Sequence, residues 1–396
     1  MYALNMLRGF AVQTTEFTDK RGWMNALVVI KGSYAIPPER GEPEPLPEAV
    51  PLAMKDEFVG QEGLSAMVLE NEFASRKAFC DVLFAAKAQA PGGQPVTELD
   101  VAVQVGAMRK AVHVVGDRYW EKDLLIIRSS PPEPFVSVDL HYGNAFGGSL
   151  PYTQGDEVLY DTYLPNPVGT GYCGRDAESG PHRHRLPNLE RPGRPVRRPD
   201  EAYPPMALSP VARNTPGRIA CAGTYDQHWK ENIAPLLPPD FDEMFFQCAP
   251  EDQRIPYPVG GEEVQLINLV PGRPRVEFQL PPLPVMRIKA LRRNMSQVVV
   301  EASPDTLFFE TEEERFSVVW RGSFQLGHKG LHEIKIMTIG EVCPLWWEGL
   351  ESGKDGCEGC EEFNPANPPP GCPHSEDFRA HDSLVAVPEV NAPEAV

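Results

Sequence analysis

Forty-three of the 396 residues are proline, and this feature alone excludes most architectures. Proline has no backbone N–H and clashes with the preceding helical turn, so it breaks helices and is kept out of central strands. Long helical bundles are therefore excluded; short strands joined by ordered loops remain. The patterning agrees. Leu27-Val28-Val29-Ile30 reads as a strand buried on both faces. Asp81 to Ala86 reads as another, ending at the turn Pro91-Gly92-Gly93. Leu99, Val101, Val103 and Val105 alternate with Glu98, Asp100, Ala102 and Gln104, and Lys110 to Val115 resumes the pattern after Gly106, which marks a hairpin. Further on, Val264 and Leu266 face Val276, Phe278 and Leu280 across the turn Pro271 to Pro274. Strand candidates follow at 298–300, 307–309, 316–320 and 334–336.

These signals predict a mainly β protein: two antiparallel β-sandwich or open-barrel-like segments with long Pro/Gly-rich ordered loops and few short helices. Composition places the boundaries. Residues 1–148 form an N-terminal β domain, and 149–260 a loop-rich region too aromatic for a linker, packed on the core. Residues 261–345 form a C-terminal β domain, and 346–396 an acidic, Cys-containing tail whose end, from about Ser383, is expected to be disordered. The net charge is −19, and between Glu348 and Val396 eleven acids face only Lys354 and Arg379. An acidic surface disfavours nucleic-acid phosphates and anionic membranes. The first residues lack a secretory leader pattern and no apolar run reaches the roughly 18 residues of a membrane span, so a reduced, cytoplasmic protein is expected.

Several short motifs invite chemical readings. Tyr142-Gly143-Asn144-Ala145-Phe146-Gly147-Gly148 lacks the Lys-Ser/Thr pair of a phosphate loop, so a tight turn is the better reading. Gly116-Asp117-Arg118-Tyr119-Trp120 places an acid and a base at a strand end, where an Asp commonly organises a turn. Asp226 and His228, with Cys248, offer the residue types of a hydrolase, but nothing local activates a thiolate. The stretch Pro181 to Pro199 holds six Arg without interleaved aromatics, a solvated or internally paired loop more than a nucleic-acid platform. In the tail, Cys357, Cys360, Cys372 and His374 have the donor set of a closed, structural zinc site; free thiols are the alternative. No other cofactor is expected, and no catalytic residue is assigned.

Taken in order, the motifs resemble the bacterial family known as domain of unknown function 2169. The resemblance is carried by Lys31-Gly32-Ser33-Tyr34, Asp81-Val82, Val115 to Trp120 and Tyr142 to Gly148. It continues through Asn166-Pro167-Val168-Gly169-Thr170-Gly171, Leu186-Pro187-Asn188-Leu189-Glu190, Ala222-Gly223-Thr224-Tyr225-Asp226-Gln227-His228-Trp229 and Leu237-Pro238-Pro239-Asp240-Phe241. Pro250 within Ala249 to Gln253, Asp305-Thr306-Leu307 and Trp320-Arg321 complete it. The resemblance implies a non-enzymatic adaptor or chaperone of the type VI secretion system. Such a protein binds a toxin effector or its PAAR-type tip protein and delivers it to the VgrG spike. The family supplies no catalytic residues, and its glycines, aromatics and charged motif residues are expected to be structural. The Cys-rich tail departs from the family core. Two alternatives stand beside this: a hydrolase using His228 with Asp226 or Cys248, and a structural component of the secretion apparatus.

Overall fold

The computed structural model describes residues 2–353 except positions 6, 8, 39, 124–125, 175–183 and 343. Strands account for 43% and helices for 10%, so the chain is mainly β, with one antiparallel sheet curled into a half-barrel. The core of the large sheet is a set of long neighbours. Phe10–Thr18, Met24–Ala35, Arg315–Gln325, Gln297–Glu310, Met286–Arg292 and Ile334–Ile339 lie side by side, all antiparallel. Tyr2–Asn5 adds parallel to Ile334–Ile339, and Cys80–Ala85 adds parallel to Gln297–Glu310. A second, five-stranded sheet runs Leu189–Glu190, Met108–Val115, Glu98–Val105, Glu263–Val270, Arg273–Gln279. The two β-rich stretches of the sequence therefore share both sheets. Met24–Ala35 pairs with Arg315–Gln325 in one, and Glu98–Val105 with Glu263–Val270 in the other.

The period-two rule explains how Met24–Ala35 is buried on both faces. Ala26, Val28 and Ile30 point into the main core, where Val101, Val103, Leu266 and Phe278 of the second sheet meet them. Phe316 lies at the centre of that core. It stacks on Phe309 at 5.3 Å and Tyr34 at 5.4 Å in its own sheet, and on Phe278 of the other sheet at 5.6 Å. Each such pair adds roughly 0.5–1.5 kcal/mol beyond area burial. Leu27 and Val29 point the opposite way and pack with Val319 against Leu52 and Phe73. The second face of the large sheet is thus covered by the segment around residues 51–81, and this covering holds the polar groups considered below.

Two features depart from the sequence reading. The strand candidates at 298–300 and 307–309 are one 14-residue strand, Gln297–Glu310. Pro304 does not break it, because the register slips between Pro304 and Thr306 and leaves Asp305 as the extra residue of a bulge. The region 149–260 also contains a hairpin, Ser149–Gln154 with Glu157–Thr162, turning at Gly155-Asp156. Trp346 and Trp347 lie in the helix Pro344–Glu351 and are buried. Among the described residues no helix is long and apolar enough to cross a membrane.

Candidate functional site

The charged residues that interrupt the apolar strands converge on the covered face of the large sheet. Lys31 extends from Met24–Ala35 to Glu72 at 3.0 Å and to the Pro51 carbonyl at 3.2 Å. Glu72 accepts from the Ala53 N–H at 2.7 Å, and its carbonyl accepts from Arg321 Nε at 2.9 Å. The Arg321 guanidinium pairs with Asp305, which the bulge exposes to it, and reaches Thr306 Oγ1 at 3.3 Å. Thr306 Oγ1 also accepts from Lys77 at 3.1 Å, and Lys77 pairs with Asp81 at 2.8 Å. Asp81 accepts further from Gln247 Nε2 at 2.6 Å and from the Cys248 N–H at 3.0 Å. One chain of contacts thus joins strands at residues 31, 81, 305 and 321 to the loops at 72, 77 and 247. All these side chains are buried.

Burial alone would drive these groups neutral, so the direction of each pKa shows which pairings succeed. Burial pushes the Asp81 carboxyl up, but the Lys77 ammonium and the donors of Cys248 outweigh it and hold it below the usual range. Burial likewise works against the Lys77 charge, yet Asp81 and its other anionic neighbours raise its pKa above the ordinary lysine value. Asp305 goes the other way: burial raises its pKa despite Arg321 and Lys77. Burial also pushes the Cys248 and Cys80 thiols well up, away from the reactive thiolate.

This network anchors an excursion of the chain between residues 211 and 247. Arg218, 4% exposed, forks onto Glu70 with both distances 2.8 Å, and donates to the carbonyls of Val211 at 2.9 Å and Phe245 at 2.7 Å. Burial raises the Glu70 pKa, but Arg218, with Arg213 and Lys77 beyond, brings it below the ordinary value. The base of the excursion is therefore rigid, while its outer part is open to solvent. There Asp226 caps the helix Gln227–Asn232 through the Trp229 N–H at 2.8 Å. Thr224 binds Asp240 through its N–H at 3.0 Å and its hydroxyl at 2.7 Å. Gly223 has φ +82°, and a Cβ there would meet Pro238, Asp240 and Phe241 within 3.0 Å. Trp229 donates Nε1–H to the Leu236 carbonyl at 2.8 Å, and its ring meets Tyr225 edge-on at 4.7 Å. Tyr225 and Ile219 are each 53% exposed, and Trp23, on the neighbouring Asp19–Trp23 turn, 51%. Lys20 of that turn reaches the Phe241 carbonyl at 3.0 Å. The excursion also lines a cleft of about 660 Å³ with Leu164, Val211, Pro216, Cys221, Met244 and Pro250.

A second knot gathers the motifs between 116 and 203. Arg118 donates to Glu190 at 2.7 Å and to the Pro187 carbonyl at 2.8 Å, and Glu190 accepts from the Val196 N–H at 3.0 Å. Asp117 binds Asn188 and Arg185, each at 2.9 Å, and the Gly116 N–H donates to Thr97. Trp120 donates to the Gly171 carbonyl at 3.0 Å. Asn166 donates to the carbonyls of Tyr142 at 2.9 Å and Phe146 at 3.1 Å, and its own carbonyl accepts from Gly148 and Gly169. Asn144 donates to the Asp139 carbonyl at 2.9 Å. Gly147 has φ +154°, and a Cβ on it would lie 2.1 Å from the Asn166 carbonyl oxygen, so this approach excludes any other residue. Phe146 packs edge-on to Tyr163, Tyr172 and Tyr203. Of the arginines in the basic stretch, Arg185, Arg194 and Arg198 pair internally with Asp117, Glu201 and Asp200. Pro250 precedes the turn Glu251–Gln253, whose Gln253 ties Lys110 of the second sheet to the Val82 carbonyl of the first. Trp320, 1% exposed, belongs to the main core.

Residues 21–321 match the family described as "Uncharacterized protein conserved in bacteria (DUF2169)". The chain belongs to this family. No curated protein and no solved structure matches it.

Most of the motifs that carried the resemblance lie in the two networks or the main core, while Gly223 to Trp229 stands at the surface. The residue types of a hydrolase are each engaged separately. Asp226 is the helix cap, His228 faces Asn232 at 3.2 Å, and Cys248, 1% exposed, lies against Asp81. Among the described residues no hydrogen bond links any two of the three. Cys80, Cys173, Cys221 and Cys248 are free thiols, and among the described residues no group has metal-site geometry. Cys357, Cys360, Cys372 and His374 lie outside the described residues. The sequence reading missed the buried network itself, although its members were visible as charges set within apolar strands.

Proposed function

We propose that this protein is an adaptor of a bacterial type VI secretion system. It binds a toxin effector or its PAAR-type tip protein and promotes its loading onto the VgrG spike. The observation that carries the reading is the placement of Gly223 to Trp229. This motif contributes little to the core, yet it is mounted on a buried ionic base and presents Tyr225 to solvent, and Ile219 of the same excursion is exposed as well. Exposed aromatic side chains on a rigid support suit protein–protein contact, where Tyr and Trp are enriched. A rigid mount also limits the entropy lost on docking. The separate engagement of Asp226, His228 and Cys248 favours a non-catalytic protein over a hydrolase.

The test is affinity capture of the tagged protein from the bacterium that encodes it, with secretion genes expressed, followed by mass spectrometry. Recovery of a toxin, a PAAR-type protein or VgrG supports the adaptor. A bait free of secretion components under those conditions refutes it.

A further inference from the structure

The surface around Tyr225 has a chemical bias that specifies its partner. From Ile219 to Glu243 the chain carries Asp226, Glu231, Asp240, Asp242 and Glu243 against the single Lys230. Of these carboxylates only Glu243 has an ion-pair partner among the described residues, Arg76 at 4.0 Å. Lys20 stands nearby; it donates to the Phe241 carbonyl, and its charge acts on Asp240. The Tyr225 and Trp229 rings meet at 68° with centroids 4.7 Å apart, forming a corner rather than a flat stack. Trp229 is fixed in that corner by its bond to the Leu236 carbonyl, and Tyr225 is left half-exposed. Asp240 stands close enough to Tyr225 for its charge to act on the phenol, and Thr224 holds both of its oxygens in place.

An exposed aromatic corner with a carboxylate beside it, in a segment where five acids stand against one lysine, attracts a cation twice, through the ring quadrupole and through the charge. A guanidinium suits it better than an ammonium. It is planar, stacks on a ring face, is weakly hydrated, and can direct its N–H edge at a carboxylate while stacked. We propose that the Tyr225–Trp229 corner, with Asp240, receives an arginine side chain from the partner protein. This inference rests on the reading of the 211–247 excursion as the partner-binding surface. It adds the partner's chemistry: a basic segment whose anchor is arginine.

The test uses the full chain labelled with 5-fluorotryptophan, with the Trp229 resonance assigned from Trp229→Phe. The probes are the acetylated, amidated tripeptides Gly-Arg-Gly, Gly-Lys-Gly and Gly-citrulline-Gly, titrated at low salt. Citrulline keeps the shape of arginine without its charge. The arginine peptide is expected to shift the Trp229 signal saturably, with citrulline binding at least about fivefold and lysine at least about threefold weaker. Tyr225→Leu and Asp240→Asn are each expected to weaken the arginine peptide about three- to tenfold while urea unfolding still shows a cooperative, folded protein. Equal binding of the arginine and citrulline peptides, or of arginine and lysine, overturns the assignment, as does an arginine titration that never saturates. The outcome is independent of the capture experiment. A protein that captures a secretion component but shows no arginine preference keeps the adaptor reading and loses this one. The opposite pair of results does the reverse.

Discussion

Replacing Asp81 with Asn removes one charge and turns the oxygen that accepts from Gln247 Nε2 into a donor. The amide keeps the volume of the carboxylate and can still accept from the Cys248 N–H, but Lys77 loses its direct anionic partner among the described residues. What remains to the ammonium is Thr306 Oγ1 at 3.1 Å and Cys248 Sγ at 3.5 Å, in a site where Lys77 is 5% exposed. Breaking one side of a buried pair costs about 3–5 kcal/mol, because it leaves an uncompensated charge in low dielectric. Lys77→Met removes the other side; the double variant, with neither charge present, should recover part of the loss. The expected cycle is a loss of about 3–5 kcal/mol for Asp81→Asn and a double-variant loss about 1–3 kcal/mol smaller than the sum of the singles. Equilibrium urea unfolding followed by tryptophan fluorescence reads all four proteins. A loss below about 1 kcal/mol for Asp81→Asn, or strict additivity, would refute the view that these charges form one coupled network holding the loops to the sheet.

Three further outcomes follow from the same contacts. Glu70→Gln removes the charge that Arg218 grips, so hydrogen exchange across residues 219–247 should quicken at least about tenfold while the strand Met24–Ala35 stays protected. Gly147→Ala places a methyl 2.1 Å from a backbone oxygen at φ +154°, and should destabilise by several kcal/mol or prevent folding; an unchanged melting temperature would contradict the described backbone. The folded-state pKa values of Glu70 and Asp81 are depressed, so their contribution is fully present above the ordinary carboxylate range of about 4 and is lost as pH falls through the folded values. Asp305, with a raised pKa, acts in the opposite sense, its ionisation costing stability that acid returns. A Glu70→Gln/Asp81→Asn variant should therefore show a shallower acid loss than the wild type in urea midpoints measured from pH 5 downward.

The parts of this fold visible in the sequence are those set by neighbours along the chain. Leu27 to Ile30 and the alternation from Leu99 to Val105 announce their strands because burial and pleat act over a few residues. The sharing of sheets between residues 24–35 and 315–325 is invisible by that route, since partner choice is a property of distant segments. Pro304 lies between the two strand candidates at 298–300 and 307–309. A proline ordinarily ends a strand, yet the bulge lets the chain continue and turns Asp305 towards Arg321. The hairpin at 149–162 was obscured by Pro151 and by weak burial, since all of its described side chains are at least partly exposed. The buried network had a local trace: Lys31 after an apolar run, Asp81 before one, Arg321 after Val318-Val319-Trp320. A charge at such a position requires a partner, but only the folded chain shows that one network serves them all and that it supports the surface excursion.

The central claim is that this excursion is the partner surface. Ile219 and Tyr225 are both half-exposed and outside the core, so Ile219→Ser with Tyr225→Ala should cost only about 1–2 kcal/mol and leave a folded protein, checked by urea unfolding. Wild type and this double variant are compared as baits in native capture, with the amount of any toxin, PAAR-type protein or VgrG quantified. The account predicts that the variant recovers at least about tenfold less secretion component than wild type. Equal recovery by the two folded baits would contradict it.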